Sequence, residues 1–384
     1  MRVGLCCCYQ NANYGSMLQS LATKKAIDDL GHDCEIVRYK KCLSIPEKVK
    51  QVPRLLNGAN IRSAKKQSKA NRLESAYPTI SALREERQGV FERFREEAFT
   101  DLSEEFVGYE ALKRGSTRYD AVVVGSDQMW LPQGLPTNFY NLQFAAPGVR
   151  RVSYATSFGV SSIPWYQRSR TAEYLRKIDY LSVRENTGAV ICSEVAGLEA
   201  KVVVDPTLLH TRERWADIVP IDKCGRGPYI FCYFLGSNPI CRLEANRLSR
   251  ETGLPIVTLR HLDEIVPSDE SFGDEAPYDI MPTDFVNLIR NAEYVLTDSF
   301  HGTVFSTIHH KRFATFYRFA QGDKHSRNSR IDSLFSHLNL HDRLIVEPGR
   351  ICATVEESIN FGIVEACLAE WRENSWAFLK EALC

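Results

Sequence analysis

The sequence predicts an α/β protein in which two Rossmann-like domains face each other across a cleft. Short apolar segments, polar loops and helical segments alternate along most of the chain, as expected for parallel sheets with crossover helices. The series breaks once, at residues 210–228, where proline and glycine indicate a linker. The length of 384 residues is also more than one small domain needs. We expect a first domain over residues 1–210, a second over 225–345 and a C-terminal helix over 364–384.

The first domain begins with a strand, a polar loop, a helix and a second strand. The strand covers residues 2–9, the helix has apolar spacing over 17–30, and the second strand covers 35–39. The loop lacks the G-x-G-x-x-G fingerprint of dinucleotide-binding proteins. Further strands are predicted at 119–124, 151–155, 180–183 and 201–204, and further helices at 172–177 and 186–195.

Residues 41–118 have a different composition from the rest of this domain. They are rich in Lys, Arg, Glu and Ser and contain few strand signals. Residues 83–99 have the spacing of an amphipathic helix. We predict a charged helical insertion that shapes or covers the cleft.

The second domain repeats the alternation of strands and helices. Its last predicted helix, at 364–383, could return to brace the first domain. Strands are predicted at 229–235, 255–259, 294–297 and 313–317, and helices at 239–252, 282–291 and 331–338.

Composition excludes several classes of function. Lys plus Arg and Asp plus Glu both number 48, so no overall field favours nucleic acid. The 12 cysteines include no C-x-x-C pair, which argues against a zinc site and a disulfide scaffold. The N-terminal apolar segment is too short for a signal peptide, and no segment is long enough to span a membrane. A cytoplasmic protein without a metal or redox cofactor is expected.

The most informative stretch begins with a buried strand at residues 294–297. Asp298, Ser299, His301 and Gly302 follow it at a turn into a helix. A helix start presents free N–H groups that can hold an anion, and histidine titrates near neutral pH. The stretch predicts a ligand site with His301 as its acid–base group; the alternative is a structural histidine beside a strand end.

Other polar loops follow predicted strands and should meet this stretch at the cleft. The carboxyl ends of parallel strands lie along one edge of a sheet, where ligands bind. The first domain contributes Asn13, Tyr14, Gly15, Ser126, Asp127, Gln128 and Arg184, and the second contributes Asp298, Ser299, His301, Gly302 and Arg330.

Two of these arginines have competing interpretations. Arg184 directly follows a buried strand, where it either pairs with an acid such as Glu185 or binds an anionic ligand. Arg330 stands at a predicted helix start, where the dipole disfavours a cation, so it is either solvated or placed for a ligand. Asp205 precedes Pro206 and is interpreted as a turn residue.

A set of short motifs occurs in a fixed order along residues 1–345. The motifs are NYGSMLQ at 13–19, VGSDQMW at 124–130, SYATSFG at 153–159, SVRE at 182–185, DPTLL at 205–209, DSFHGT at 298–303 and NSR at 328–330. In this order they resemble the polysaccharide pyruvyl transferase family. The resemblance implies a GT-B-like fold and transfer of a pyruvyl group from phosphoenolpyruvate to a sugar of a surface polysaccharide or its lipid-linked precursor, often as a cyclic ketal.

One motif departs from the family pattern. Some members carry Arg-Leu-His where this chain has Ser299, Phe300 and His301. If the missing arginine grips the donor in those relatives, Arg330 or Arg184 must take more of that role here.

The implied chemistry needs cations or helix starts for the donor's carboxylate and phosphate. It also needs an acid–base group, for which His301 is the candidate, with Asp298 to orient it. The expected partners are phosphoenolpyruvate and a sugar or glycan acceptor, including a lipid-linked acceptor at the inner membrane face. The rivals are a glycosyltransferase that uses a nucleotide-sugar donor and a non-catalytic binding protein for glycan assembly.

Overall fold

The chain folds into two parallel β-sheets with helices packed around them. The α/β class predicted from the sequence is confirmed, because every pair of neighbouring strands is parallel. The computed structural model describes residues 1–42, 78–132, 138–223, 225–260, 266–320 and 326–384.

The first sheet has seven strands and follows the Rossmann order. Its strands are β1 (Arg2–Cys6), β2 (Asp33–Lys40), β3 (Leu102–Val107), β4 (Ala121–Val124), β5 (Arg150–Thr156), β6 (Tyr180–Val183) and β7 (Lys201–Val202). They lie in the order β3-β2-β1-β4-β5-β6-β7. The helices of this part are α1 (Tyr14–Asp29), α2 (Pro78–Ala98), α3 (Tyr109–Gly115), α4 (Trp165–Leu175), α5 (Asn186–Ala196), α6 (Pro206–Leu209) and α7 (Arg212–Ile218).

The second sheet has five strands. Its strands are β8 (Ile230–Tyr233), β9 (Ile256–Thr258), β10 (Tyr294–Thr297), β11 (Arg312–Phe316) and β12 (Leu344–Ile345). They lie in the order β12-β11-β10-β8-β9. The remaining helices are α8 (Pro239–Thr252), α9 (Pro282–Asn291), α10 (Phe300–Ile308), α11 (Ser329–Leu338), α12 (Ile351–Glu356) and α13 (Phe361–Leu383).

The interval 41–118 is not purely a charged helical insertion, because β3 within it forms an edge of the first sheet. Of its six side chains only Ser103 and Phe106 are buried. An edge strand with polar side chains lacks the apolar pattern of a central strand, so no strand signal is present in the sequence here. Helix α2 buries Val90 and Phe91 as its spacing predicted. The part of the predicted insertion at 43–77 lies outside the described residues.

The predicted linker at 210–228 contains a helix, α7, that anchors it. Trp215 on this helix is fully buried, and its ring lies 4.9 Å from that of Phe305. Its Nε1 donates a hydrogen bond to the Thr207 carbonyl at 2.8 Å. Proline and glycine in this segment indicate a linker. The anchoring of α7 depends on the tertiary neighbours of Trp215, which a local sequence pattern does not show.

The two sheets share an apolar boundary. Tyr14 on α1 stacks on Phe285 of α9, with ring centroids 4.9 Å apart, and its hydroxyl donates to the Ile280 carbonyl at 3.1 Å. Helix α13 follows the second sheet but bonds to the first: Trp371 Nε1 donates to the Val202 carbonyl at 3.2 Å. Packed apolar contacts of this kind hold both sheets in one arrangement.

The order of strands reverses once in each sheet, and both reversals face the same region. In the first sheet the chain leaves β1 towards β2 on one side and continues from β4 on the other. In the second sheet the corresponding point lies between β8 and β10. Loops diverge at such points and leave a crevice beyond the carboxyl ends of the strands.

No helix among the described segments has the length and apolar character needed to cross a membrane.

A buried histidine at the end of α10 makes stability depend on pH. His309 stacks near Phe305, and no hydrogen-bond partner reaches its Nε2 within the described residues. Burial, followed by the charges of Arg290, Arg212 and Lys311, lowers the pKa of His309 to about 3. The neutral ring is therefore the form compatible with the fold.

We expect the free energy of unfolding to fall as the pH is lowered below about 6.5, the ordinary pKa of histidine. The unfolded chain then binds a proton that the folded chain excludes, which costs about 2 kcal/mol at pH 5. Urea denaturation at pH 7 and pH 5 measures this loss. His309→Leu should remove that part of the pH dependence, and His341→Gln, at an exposed position, should keep it. Equal losses in both variants would contradict the assignment.

Candidate active site

A cavity of about 260 Å³ opens at both strand-order reversals. Loops after β1 and β4 border it on one side, and loops after β8, β10 and β11 with the start of α11 border it on the other. The residues that border it include Asn13, Ser16, Asp127, Gln128, Asp298, Ser299, Phe300, His301, Arg318, Arg327 and Arg330.

The start of α1 presents polar groups to the cavity. Asn13 caps this helix, and its Oδ1 accepts a hydrogen bond from the Ser16 backbone N–H at 3.1 Å. The Ser16 hydroxyl in turn donates to Asp127 Oδ2 at 2.6 Å. The loop after β1 is thereby tied to the loop after β4 at the point where the strand order reverses.

Asp127 is held in a conformation that non-glycine residues rarely adopt. Its φ is 84°, and its backbone carbonyl accepts hydrogen bonds from Met129 and Ser157. Burial would raise the pKa of its carboxyl, but the nearby charges of Arg184 and His301 lower it below its ordinary value. Asp127 is therefore ionised at neutral pH and can accept a proton or a hydrogen bond. Such strained backbone is concentrated at functional sites.

His301 lies in the first turn of α10 and packs directly on the first turn of α1. Ser299 caps α10 by accepting a hydrogen bond from the Gly302 N–H at 3.3 Å. A Cβ at Gly15 would lie 2.0 Å from His301 Nδ1, so only glycine leaves space for this ring. The imidazole is buried and borders the cavity. The two helix starts therefore fix its position.

Asp205, interpreted from the sequence as a turn residue, is also the carboxylate nearest to the imidazole. Its Oδ1 accepts from the Thr207 N–H at 3.0 Å and caps α6, whereas its Oδ2 lies 3.7 Å from His301 Nε2. The same Oδ2 accepts from Ser126 and Arg184, each at 2.8 Å. Burial opposes ionisation, but His301 and then Arg184 hold the pKa of Asp205 well below its ordinary value.

Asp298 does not occupy the orienting position predicted for it. Its two carboxylate oxygens accept hydrogen bonds from the backbone N–H groups of Leu235 and Gly236 at 2.6 and 2.8 Å. No hydrogen bond between Asp298 and His301 occurs among the described contacts. Asp298 borders the cavity, but its bonds tie the loop after β10 to the loop after β8.

Arg184 and Arg330 lie against the same aromatic ring and differ in their partners. Arg184 is buried, bonded to Asp205 and Ser126, and its guanidinium carbon lies 4.5 Å from the centre of the Phe300 ring. Arg330 lies 5.8 Å from the centre of that ring and borders the cavity. Arg184 therefore has the acidic partner that the structural alternative requires, in Asp205 rather than in Glu185 alone.

Arg330 belongs to a group of three arginines at the cavity, with Arg318 and Arg327. None of the three forms a salt bridge within the part of the chain that the structure describes. Burial and the repulsion of Arg184 lower the pKa of Arg330, and burial and Arg318 lower that of Arg327. An anion in the cavity would relieve this repulsion.

The sequence profile of the family described as "Polysaccharide pyruvyl transferase" matches residues 13–318. The chain belongs to this family. The family resemblance drawn from the ordered motifs is thus confirmed. No curated protein sequence matches this chain.

Solved structures similar to this pyruvyl transferase family member include UDP-N-acetylglucosamine 2-epimerase from Rickettsia bellii. The match has a TM-score of 0.51 and 13% identity, and covers 99% of this chain and 96% of that chain. The UDP-GlcNAc 2-epimerase from Methanocaldococcus jannaschii matches with a TM-score of 0.48 and 11% identity, and covers 94% and 93% of the two chains. The GT-B-like fold is confirmed; at this identity the similarity concerns the fold alone.

In this family member, the predicted site residues fall into two layers. Asn13, Asp127, Gln128, Asp298, Ser299, His301 and Arg330 border the cavity. Tyr14, Gly15, Ser126, Arg184 and Gly302 are not among its bordering residues. Gly302 has a packing reason to be glycine, because a Cβ there would lie 2.4 Å from Thr297 Oγ1.

Sequence reasoning missed Arg318, Arg327 and Asp205. A signal existed for Arg318 and Asp205, because each comes shortly after a strand, as Arg184 does. Arg327 had no local signal. Ser299 stands where the family pattern can have arginine, and here it caps a helix. Arg318 and Arg327 bring positive charge to the cavity, which neither Arg184 nor Ser299 does.

Among the described residues, no group of three His, Cys, Asp or Glu side chains is arranged to hold a metal ion.

Proposed function

We propose that this protein transfers a pyruvyl group from phosphoenolpyruvate to a sugar residue of a surface polysaccharide or its lipid-linked precursor, and closes a pyruvate ketal. The observation that carries the proposal is the group of three arginines, none of them in a salt bridge with a described residue, that borders the same cavity as His301 and Asp127. On this proposal the reaction takes place in the cytoplasm, where phosphoenolpyruvate is made. A lipid-linked acceptor would bring the enzyme to the inner face of the membrane.

The donor fits the charges of the cavity. Phosphoenolpyruvate carries a carboxylate and a phosphate, and guanidinium groups bind both through paired hydrogen bonds. Arg318, Arg327 and Arg330 supply the cations, and the first turns of α10 and α11 add N–H groups. The carboxylates of Asp127 and Asp298 also border the cavity. They would repel the anionic groups of the donor, which restricts where in the cavity the donor can lie.

The reaction needs one proton delivered and one removed at each addition. A proton adds to the methylene carbon C3 of phosphoenolpyruvate, C2 becomes electrophilic, and a sugar hydroxyl attacks C2 and loses its proton. The C–O bond to phosphate then breaks as a proton is delivered to the leaving phosphate oxygen, and inorganic phosphate leaves. A second hydroxyl of the sugar adds to C2 with loss of its own proton. The product is a cyclic ketal.

His301 is the proposed acid–base group for these transfers. Imidazole can carry a proton in either direction near neutral pH. Asp205 lies 3.7 Å from the ring Nε2, and Gly15 allows the ring to approach α1 closely. Asp127, ionised and anchored by Ser16, is the proposed acceptor of the proton from the attacking hydroxyl.

A glycosyl transfer from a nucleotide sugar is the second candidate, favoured by the structural similarity to an enzyme named for UDP-N-acetylglucosamine. The two candidates differ in the ligand that stabilises the protein. A ligand at about 100 times its Kd adds about 2.7 kcal/mol to the free energy of unfolding.

We expect phosphoenolpyruvate to raise the melting temperature by several degrees and UDP-N-acetylglucosamine or UDP-glucose to leave it unchanged. Differential scanning fluorimetry at matched ligand concentrations measures both shifts, with inorganic sulfate as the control for non-specific anion binding. A shift with the nucleotide sugars alone would favour glycosyl transfer. A shift with phosphoenolpyruvate but no phosphate release with any sugar acceptor would favour a binding protein.

A further inference from the structure

Helix α4 begins with two adjacent aromatic side chains on the protein surface. Trp165 is 85% exposed and Tyr166 is 51% exposed, and their ring centroids lie 5.8 Å apart. The other large apolar side chains that the described part of the chain leaves exposed are aliphatic. We propose that the surface formed by Trp165, Tyr166, Arg168 and Arg170 docks the protein on an anionic lipid bilayer, beside the mouth of the active-site cavity.

Two arginines give this docking surface its positive charge. Arg168 follows Trp165 by three positions and Arg170 follows Tyr166 by four, so each arginine is a neighbour of one aromatic ring on the helix surface. Neither arginine forms a salt bridge with a described residue.

The charge around the docking surface is not balanced locally. Residues 165–177 contain four basic side chains and one acid, Glu173, although the whole chain has 48 of each sign. Glu173 pairs with Lys177 at 3.2 Å, one turn beyond the arginines. The positive charge of Arg168 and Arg170 is therefore left to attract an anionic surface, which draws basic side chains within a Debye length.

The composition of the docking surface favours a bilayer over a protein partner. Tryptophan and tyrosine are enriched where a membrane meets water, because each has an apolar ring and a polar group. Arginine can bury its aliphatic stem there while its charge stays among the headgroups. Two aromatic side chains provide only about 300–500 Å², whereas a stable protein interface buries about 800 Å² on each partner. A bilayer sets no such minimum, since single side chains can insert into it.

The docking surface is connected to the active-site cavity through the loop that follows β5. Gly159 lies in this loop, and a Cβ there would lie 2.9 Å from Leu131 and 3.2 Å from Gln128, two residues that border the cavity. Trp165 stands at the end of the same loop. Helix α4 packs on the same wall, because the rings of Tyr174 and Trp130 lie 5.9 Å apart.

The inference rests on the proposed function for what the bilayer supplies, which is a lipid-linked acceptor. The lipid of such an acceptor stays in the bilayer while its sugar must reach His301. A docking surface joined to the cavity wall brings the two together. An acceptor released from its lipid would need no such surface, so membrane binding by α4 selects the lipid-linked precursor from the two acceptors considered above.

Sedimentation with vesicles of phosphatidylethanolamine and phosphatidylglycerol tests the docking surface on the full-length protein. We expect the wild-type protein to bind these vesicles and to bind pure phosphatidylcholine vesicles much more weakly. Trp165→Ala should lower the partition coefficient by at least about ten-fold, the effect of losing one large apolar side chain from an apolar environment. Arg168→Gln and Arg170→Gln should each lower it by about five-fold, the usual contribution of one basic side chain near an anionic leaflet.

Ile363→Ala and Arg93→Gln are the matched controls. Ile363 is an exposed apolar side chain in the first turn of α13, and Arg93 is an exposed arginine of α2. Both variants should bind the anionic vesicles as the wild-type protein does. Lipids brominated on their acyl chains should quench the tryptophan fluorescence of the wild-type protein more than that of Trp165→Ala, because the indole enters the bilayer.

Three results would overturn the docking surface: no binding of the wild-type protein to anionic vesicles, equal binding to both vesicle types, or binding unchanged by Trp165→Ala. Sedimentation velocity covers the rival occupant, since a wild-type dimer that Trp165→Ala dissociates, without vesicle binding, would assign this surface to a second copy of the chain. The melting-temperature shift with phosphoenolpyruvate should be the same in every variant. Its absence from the wild-type protein, with vesicle binding retained, would overturn the proposed function and not the docking surface.

Discussion

Replacing His301 by alanine is expected to lower turnover by about 10²–10⁴-fold, the usual effect of removing a positioned acid–base group. Binding of phosphoenolpyruvate should remain within several-fold of wild type, because the arginines at the cavity are untouched. His301→Gln should recover little, since an amide can hydrogen-bond but cannot transfer a proton. Phosphate release with a saturating acceptor measures turnover, and calorimetry with phosphoenolpyruvate alone measures binding.

His341→Ala provides a control, because this histidine is exposed and lies just before β12, in a different part of the second sheet. Thermal unfolding separates a catalytic loss from a structural one, since the His301 ring is buried against Gly15. If His301→Ala fails to fold, the histidine is structural. If it folds and turns over at nearly the wild-type rate, the acid–base role passes to Asp127.

Arg330→Ala should weaken binding of phosphoenolpyruvate by about 2–5 kcal/mol, the usual cost of losing a charge-assisted contact to a ligand. This corresponds to an increase in Kd of about 30- to 4,000-fold. Arg330 borders the cavity and no acid neutralises it among the described residues, so its removal leaves no buried partner unpaired. The fold should therefore be retained. Calorimetric titration with phosphoenolpyruvate gives the affinity, and thermal unfolding gives the stability.

Arg184→Ala should behave in the opposite way. Arg184 forms the shortest ion pair of Asp205 in the interior, so its loss leaves this buried carboxylate with only the His301 ring, 3.7 Å away, as a possible cation and destabilises the fold by about 3–5 kcal/mol. Arg226→Ala is the matched surface control, because its ion pair with Glu275 is largely exposed. Unchanged donor affinity in folded Arg330→Ala would remove this arginine from the site. Normal stability of Arg184→Ala would show that His301 and the Ser126 hydroxyl suffice to stabilise the buried Asp205 carboxylate.

Most of the elements were predictable from the sequence, because they depend on local patterns. The central strands, such as β4 and β8, have continuous apolar sequences. The reason is that a strand covered on both faces buries every side chain. Helix starts also carry a local signal, because Asn13 and Ser299 cap helices through bonds to residues three positions away; even so, α1 begins at Tyr14, ahead of its predicted start at residue 17. Strand β3 escaped prediction because an edge strand can be polar on both faces.

The sequence by itself determined the fold class, the family and the loops that form the site. These three properties depend on the order of the motifs and on which residues follow a strand. Both can be recognised from short stretches of the sequence. His301 was expected at the cavity for this reason, because the carboxyl ends of parallel strands lie on one edge of a sheet, and Arg330 was expected there from its position at a predicted helix start.

Only the tertiary structure decided which charges pair with one another. Asp205 follows Arg184 by 21 residues and precedes His301 by about a hundred, yet it lies within 4 Å of both, whereas Asp298 turns to backbone N–H groups of the loop after β8. The partner of a buried charge is its nearest opposite charge, and that distance is fixed by packing between the two sheets. For this reason Arg184 is paired with Asp205, whereas Arg318, Arg327 and Arg330 border the cavity.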